Sequence, residues 1–154
     1  MNNKRTSVCM ALLEIYEAAD VLDPINVVDQ KGVRSLRIPD RWWRSNTFRT
    51  AGNRTSTAGI IVLAYIVQRY IEINVLSERE GPLCISFHRI REEIGIGKGR
   101  AEKAIQQLIE KNLLVQRVID EETHIVPSVD EIARITLSPT YQQFYRAWTS
   151  LVYG

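Results

Sequence analysis

The chain has 154 residues, of which 45% are hydrophobic and 25% charged, with a net charge of +2. That is enough apolar material for one sizeable core and too much for a disordered polymer. No run reaches the roughly 18 to 20 apolar residues of a membrane span, and the polar, basic start is not followed by an export-type apolar segment, so a cytoplasmic protein without a membrane partner is expected.

In chain order, Val8, Ala11, Leu12, Ile15, Ala18 (or Ala19) and Leu22 recur at helical spacing, with Thr6 or Ser7 as the cap and Pro24 beyond the end. The apolar face of this helix must fold back on the rest of the chain or pair with a second subunit. Ile25–Asp29 and Val33–Ile38 read as strands joined at Gln30-Lys31-Gly32, with Gly32 as the left-handed turn residue and Pro39 closing the second strand. Asp40 is expected to cap a short helix, Arg41-Trp42-Trp43-Arg44. The polar stretch 50–57 follows, and then Ala58–Ile73, apolar on most sides, which should be the central core helix. Residues 77–82 read as a charged loop and Leu83–Phe87 as a short apolar strand.

Ile90 to Leu114 carries the densest information. Ile90 and Ile94 share a helix face that Ser86 can start, Gly95 can adopt the positive φ of a sharp exit, and Ile96 can fill the corner beyond it. Ala101, Ala104, Ile105 and Leu108 then mark a second helix by their i, i+3, i+4, i+7 spacing, which turns Arg100, Lys103 and Gln107 outward. Gly97 offers this helix no side-chain cap, and Asn112 ends it as a residue tolerant of left-handed backbone. Leu113–Ile119 reads as a strand, 120–131 as a long acidic loop, and Ala133–Leu137 as a second strand. Ser138-Pro139 is a good helix start. Tyr141, Phe144 or Tyr145, Trp148 and Leu151 or Val152 then form an aromatic stripe on a terminal helix.

Charge is distributed unevenly. Residues 31–54 carry Lys31, Arg34, Arg37, Arg41, Arg44, Arg49 and Arg54 against Asp40 alone, a local +6, and a second basic group comprises Arg89, Arg91, Lys98, Arg100, Lys103, Lys111 and Arg117. Residues 118–131 carry five acids and no Lys or Arg. Such segregation points to an oriented electrostatic footprint.

The segment from about 58 to 138 resembles the winged helix-turn-helix DNA-binding family in the order of its elements: a long apolar helix, a short strand, a helix pair and a strand opening a wing. The resemblance is carried by Ile90, Ile94, Gly95, Ile96, Ala101, Ala104, Ile105, Leu108, Asn112 and Leu113. It implies a mainly α (α+β) fold in which the start of the second helix of the pair enters the major groove. By position that implicates Lys98, Gly99, Arg100 and Lys103 within a recognition helix spanning 98–111. Residues 1–56 would form an N-terminal helix and hairpin extension, 57–138 the winged-helix domain, and 139–154 an aromatic C-terminal helix. Leu36-Arg-Ile-Pro-Asp-Arg-Trp-Trp43 is also similar to the approach to the long helix in the amino-terminal winged-helix domain of plasmid and phage replication initiators. The wider family implies a transcriptional regulator at an operator; this subfamily implies a replication or partition factor at a repeated site.

The expected partner is double-stranded DNA, bound by Lys98, Gly99, Arg100, Lys103 and Gln107, with Arg89, Arg117, Arg41 and Arg44 as further contacts. Arg100 is the best candidate for bidentate guanine reading, and Gln106 or Gln107 for adenine. Trp42 and Trp43 point in different directions on a helix, so at least one should pack inward. A homodimer through the first or last helix would set two recognition helices about 34 Å apart. The alternative is a module that docks another protein through the acidic loop 118–131 or the C-terminal helix and does not bind DNA.

Nothing points to an enzyme, a cofactor or a metal. Cys9 and Cys84 lie in dissimilar apolar surroundings without C-x-x-C spacing and are expected to be buried free thiols, and His88 and His124 have no partners in sequence. The segment Gly95-Ile-Gly-Lys-Gly99 lacks the spacing and the hydroxyl residue of a phosphate loop.

Overall fold

A computed structural model describes residues 7–19, 22–29, 32–139 and 142, with the backbone path alone for 22–29 and 32–34. The fold is α+β, with six α-helices and one 3₁₀ turn among the described residues. They are α1 (Val8–Ala18), α2 (Asp40–Arg44), α3 (Thr57–Asn74), α4 (Phe87–Ile94), α5 (Lys98–Glu110) and α6 (Val129–Thr136), with the 3₁₀ turn at Asn46–Phe48. Strands β1 (Leu22–Asp29) and β2 (Gly32–Pro39) form a two-stranded antiparallel ribbon, and β3 (Leu83–Cys84), β5 (Glu122–Pro127) and β4 (Leu114–Ile119), in that order, a second antiparallel sheet.

Ser7 caps α1 by accepting a hydrogen bond from Met10 N at 3.0 Å. A carboxylate from far along the chain completes that end: Glu80 accepts from the backbone N–H groups of Val8 and Cys9 and from the Tyr70 hydroxyl at 2.9 Å. The first turn of α1 is thereby tied to the loop after α3. Of the two options for this helix, the chain adopts the first. Cys9, Ala11, Leu12 and Ile15 are buried, and α1 folds back onto α3 and α6.

β1 and β2 run longer than expected, paired from Leu22↔Pro39 to Asp29↔Gly32. Gly32 is thus a paired strand residue rather than the turn; Gln30 and Lys31 lie outside the described residues. Along β2, Leu36 and Ile38 are buried while Ser35 and Arg37 are exposed, the period of 2 that presses one face of a ribbon against a core. Asp40 is the first residue of α2 rather than its cap. Its carboxylate pairs with Arg44 at 2.6 Å instead.

Ser56 caps α3 through Gly59 N at 3.1 Å, and ten of the helix's 18 residues are buried, which makes it the axis of the core. One continuous apolar cluster joins Leu12 and Ile15 of α1, Leu36 and Ile38 of β2, Trp42 of α2, and the inward faces of α3, α4, α5, β5 and α6. No helix among the described residues is long and apolar enough to cross a membrane.

Two corrections concern the carboxyl-terminal half. The strand expected over Leu83–Phe87 is two residues long, because Ser86 accepts from Arg89 N at 3.2 Å and starts α4 at Phe87. The long acidic loop and the strand over Ala133–Leu137 are absent. β4 and β5 instead meet in a two-residue turn, Asp120-Glu121, with φ of 50° and 66°, the handedness that matches the twist of a tight hairpin. Residues 129–136 are helical: Ile132, Ala133, Ile135 and Thr136 bury one helical face, and Asp130 and Glu131 sit favourably in the first turn. β4 is the outer strand of its sheet and leaves Val115, Val118 and Ile119 exposed. Beyond α6, Gln142 is helical, donating through its backbone to Ser138 O at 2.8 Å and through its side chain to the carbonyls of Arg134 and Leu137, both at 2.9 Å. The aromatic stripe Tyr141–Val152 lies outside the described residues.

Two buried phenols set an alkaline limit. Tyr16 has its hydroxyl buried without a hydrogen-bond partner among the described residues, and burial holds its pKa well above the ordinary value. Burial, then the hydrogen bond and charge of Glu80, do the same for Tyr70. Because the folded phenols hold their protons more tightly than the unfolded ones, this contribution to stability is complete below about pH 10 and is lost as pH rises beyond it. Phenolate absorbance at high pH should therefore appear together with loss of helical circular dichroism; titration of all six tyrosines in a still-folded chain would contradict it.

Candidate nucleic-acid interface

The helix pair α4–α5 is built by aliphatic side chains behind and cations in front. Ile90, Ile94 and Ile96 are buried with Ala101, Ala104, Ile105 and Leu108, so the two helices pack against each other and α5 packs on α3. Gly95 ends α4 at φ 71°, where a β-branched residue would be strained, and its N–H bonds to Arg91 O at 3.0 Å. Asn112 ends α5 at φ 63°.

Lys98, Gly99, Arg100 and Lys103 are all exposed on the first half of α5. Lys98 stands 3.7 Å from Glu102 in a pair whose members are both more than half exposed, which holds it only loosely. No hydrogen bond or ion pair ties down Arg100 or Lys103 among the described residues. The cap position, Gly97, gives no side-chain hydrogen bond, so the first N–H groups of α5 stay open beside these cations. A Cβ at Gly99 would meet nothing within 4 Å, so glycine there answers no packing demand of the chain itself. Gln106 is exposed and Gln107 half-buried, so Gln106 is the more accessible of the two glutamines.

The outlying candidates separate. Arg89 is an internal partner: its Nε lies 3.1 Å from Glu93 Oε1, Glu93 is buried, and the Tyr65 hydroxyl donates to the same carboxylate. The Glu93 hydrogen bond and charge raise the Arg89 pKa, so this half-exposed guanidinium is held at the surface by a buried carboxylate. Arg117 projects from β4 opposite His124 and is exposed. Arg41 and Arg44 are exposed while Trp42 between them is buried and Trp43 half-buried.

Sequence reasoning missed the third member of that cluster. Arg41, Arg44, Ser45, Arg134 and Ile135 line an open cavity of about 320 Å³, and Arg134 is held there by Glu131 at 2.9 Å and by the Thr47 hydroxyl at 3.3 Å. A strand over 133–137 hid it; the i, i+3 pairing of Glu131 with Arg134 was its only sequence signal. Lys111 donates to the Thr47 carbonyl, so this cluster adjoins the far end of α5, about 18 Å along the helix from Lys98. The nine candidates therefore fall into an α5 set, an α2–α6 set, Arg117 on the hairpin, and Arg89 paired with Glu93.

The comparisons name no family. No family model matches the sequence, and no curated protein or solved structure matches it. Function rests on the site alone.

The second sheet holds one further convergence. Cys84, expected to be buried, is exposed on β3, and it faces His124 across the sheet with Glu122 two residues away on β5. Partial desolvation beside the sheet, then the hydrogen bond and charge of Glu122, raise the Cys84 pKa. Cys84 and Glu122 are 38 residues apart in sequence, so no local spacing could reveal their meeting.

Proposed function

We propose that the chain binds double-stranded DNA without catalysing chemistry, using α5 as the recognition helix of a winged-helix arrangement. The observation that carries this is the exposed Arg100 and Lys103, without a partner among the described residues, beside Lys98 and the uncapped start of α5, on a helix whose other face is packed. A planar guanidinium without an internal partner can read guanine bidentately, and the lysines can neutralise phosphates. The α2–α6 arginines supply a separate phosphate contact rather than an extension of the helix footprint. A regulator at an operator and a replication or partition factor at a repeated site share this chemistry, and a homodimer would place two copies of α5 on successive groove faces.

A second reading, docking of another protein, draws on Val115, Val118 and Ile119, which are exposed on β4, the outer strand of its sheet among the described residues.

Affinity for random genomic duplex measured against salt separates the two. Each phosphate contact contributes about 0.9 to the slope of log K on log salt, so DNA binding through α5 requires a steep line. Lys103→Ala should reduce that slope by about 1 on every sequence. Arg100→Ala should cost about 1–3 kcal/mol on a selected site and relax the preference at one base pair. Both variants should melt with the parent protein. Absence of duplex binding at low salt, or variants that unfold, removes the proposal.

A further inference from the structure

The geometry points to a divalent metal site of zinc type on the outer face of the second sheet, formed by Cys84, Glu122 and His124. The register builds it. Cys84 on β3 is the Cα partner of His124 on β5, so the two side chains leave the same face of the sheet, and Glu122, two residues before His124, shares that face. One ligand atom from each of the three residues lies within 4.8 Å of the other two. Tetrahedral zinc, with metal–ligand distances of about 2.0–2.3 Å, sets its ligand atoms about 3.5 Å apart. Cys84 Sγ and Glu122 Oε2 are 3.5 Å apart.

The surroundings suit a ligand set better than a structural one. The opposite face of the sheet, with Leu83, Leu114 and Ile125, is buried, whereas Cys84, Glu122 and the half-buried His124 are not part of the core. A cysteine is among the residues most often buried, yet this one is exposed, whereas Cys9 is buried in the core. His124 Nδ1 lies 3.1 Å from the Glu122 carbonyl oxygen. A proton on Nδ1 donated to that carbonyl orients the ring and leaves the lone pair on Nε2, the arrangement by which backbone carbonyls commonly position metal-binding imidazoles.

Thiolate, imidazole and carboxylate together favour zinc over calcium or magnesium, which prefer oxygen alone. Three protein ligands leave a fourth position to water. On binding, the Cys84 thiol gives its proton to solvent as the Sγ–metal bond forms, with no change of oxidation state. Arg117, across the sheet from His124 and exposed, is the cation nearest in register, and its long side chain can turn to solvent. Asp120 and Glu121 at the hairpin tip add negative potential that favours a cation. Because β3 pairs with β5 through only two residues, an ion held by both strands would clamp the hairpin to the rest of the sheet.

Titration of the intact chain with Co²⁺ and then Zn²⁺ tests the assignment. The expected result is one equivalent of Co²⁺ bound with a thiolate-to-metal charge-transfer band, displaced by Zn²⁺, and a melting temperature that rises with Zn²⁺. Cys84→Ser should abolish the band and the thermal shift. Glu122→Gln and His124→Ala should each weaken binding about tenfold or more. Cys9→Ser and His88→Ala, away from the site, should leave both readouts intact. Cys84 and Glu122 are exposed and His124 is half-buried outside the core, so circular dichroism of the metal-free variants should match the parent. The proposal is overturned by absence of the band in the parent protein, by a band that survives Cys84→Ser, or by undiminished affinity in a Glu122→Gln/His124→Ala double variant, which would mean a lone thiol binding metal adventitiously.

Discussion

Trp42→Ala should destabilise the protein by about 4 kcal/mol, near the upper range for emptying a core position. Trp42 is completely buried. Its ring meets Tyr16 edge-on at 6.2 Å and lies tilted against Phe48 at 5.8 Å, and its Nε1–H donates to the Thr136 hydroxyl at 2.9 Å. Three segments therefore converge on one side chain: α1, the 3₁₀ turn after α2, and α6. Alanine removes the aromatic contacts and leaves the buried Thr136 hydroxyl without its donor. In a domain whose whole stability is on the order of 5–15 kcal/mol, that loss lowers the melting temperature by about 10 °C and raises the unfolded fraction markedly. Trp42→Phe should cost about half as much, since it keeps ring packing and loses the hydrogen bond. Urea denaturation of the three proteins decides it. A cost below about 1.5 kcal/mol for alanine would mean that the arginines on either side, rather than the indole, anchor α2.

Removal of the Glu93 carboxylate carries the second large effect, about 2–4 kcal/mol for Glu93→Ala, because it empties a buried position and removes the acceptor that the Tyr65 hydroxyl and the Arg89 guanidinium share. Arg89→Ala should cost less, about 1–2 kcal/mol, since that side chain is half exposed while Glu93 is buried. Both costs should appear in denaturant unfolding, and duplex affinity of the folded fraction should stay near the parent value. If Arg89→Ala instead weakens duplex binding and leaves stability untouched, Arg89 belongs to the interface and Glu93 only parks it.

The helix pair was legible because its signals are local. Gly95 and Asn112 mark exits that need positive φ, and the Ala101–Leu108 stripe has an unbroken helical period. The acidic hairpin was not legible. Asp120-Glu121 is a weak turn signal beside Asn-Gly, since glutamate seldom takes positive φ, and the tight pairing of β4 with β5 imposes it. The eight-residue α6 carries too few turns to distinguish its period from a short strand, and its helical face is defined only by packing against α1 and α2. The same limit applies to the site residues. Arg100 and Lys103 follow from the helix they sit on, whereas the burial of Glu93, its hold on Arg89, and the meeting of Cys84 with His124 depend on contacts between distant segments.

Among the described residues nothing pairs with the outer edge of β4, and Val115, Val118 and Ile119 on it are exposed. Such a border invites another strand to zip alongside and seed fibres. Asp120, Glu121 and Glu122 crowd one end of it, so two copies stacking border to border in parallel register would bring six carboxylates together. Their repulsion acts as a gatekeeper for solubility, a role that an acidic hairpin tip fulfils whatever the neighbouring helix binds.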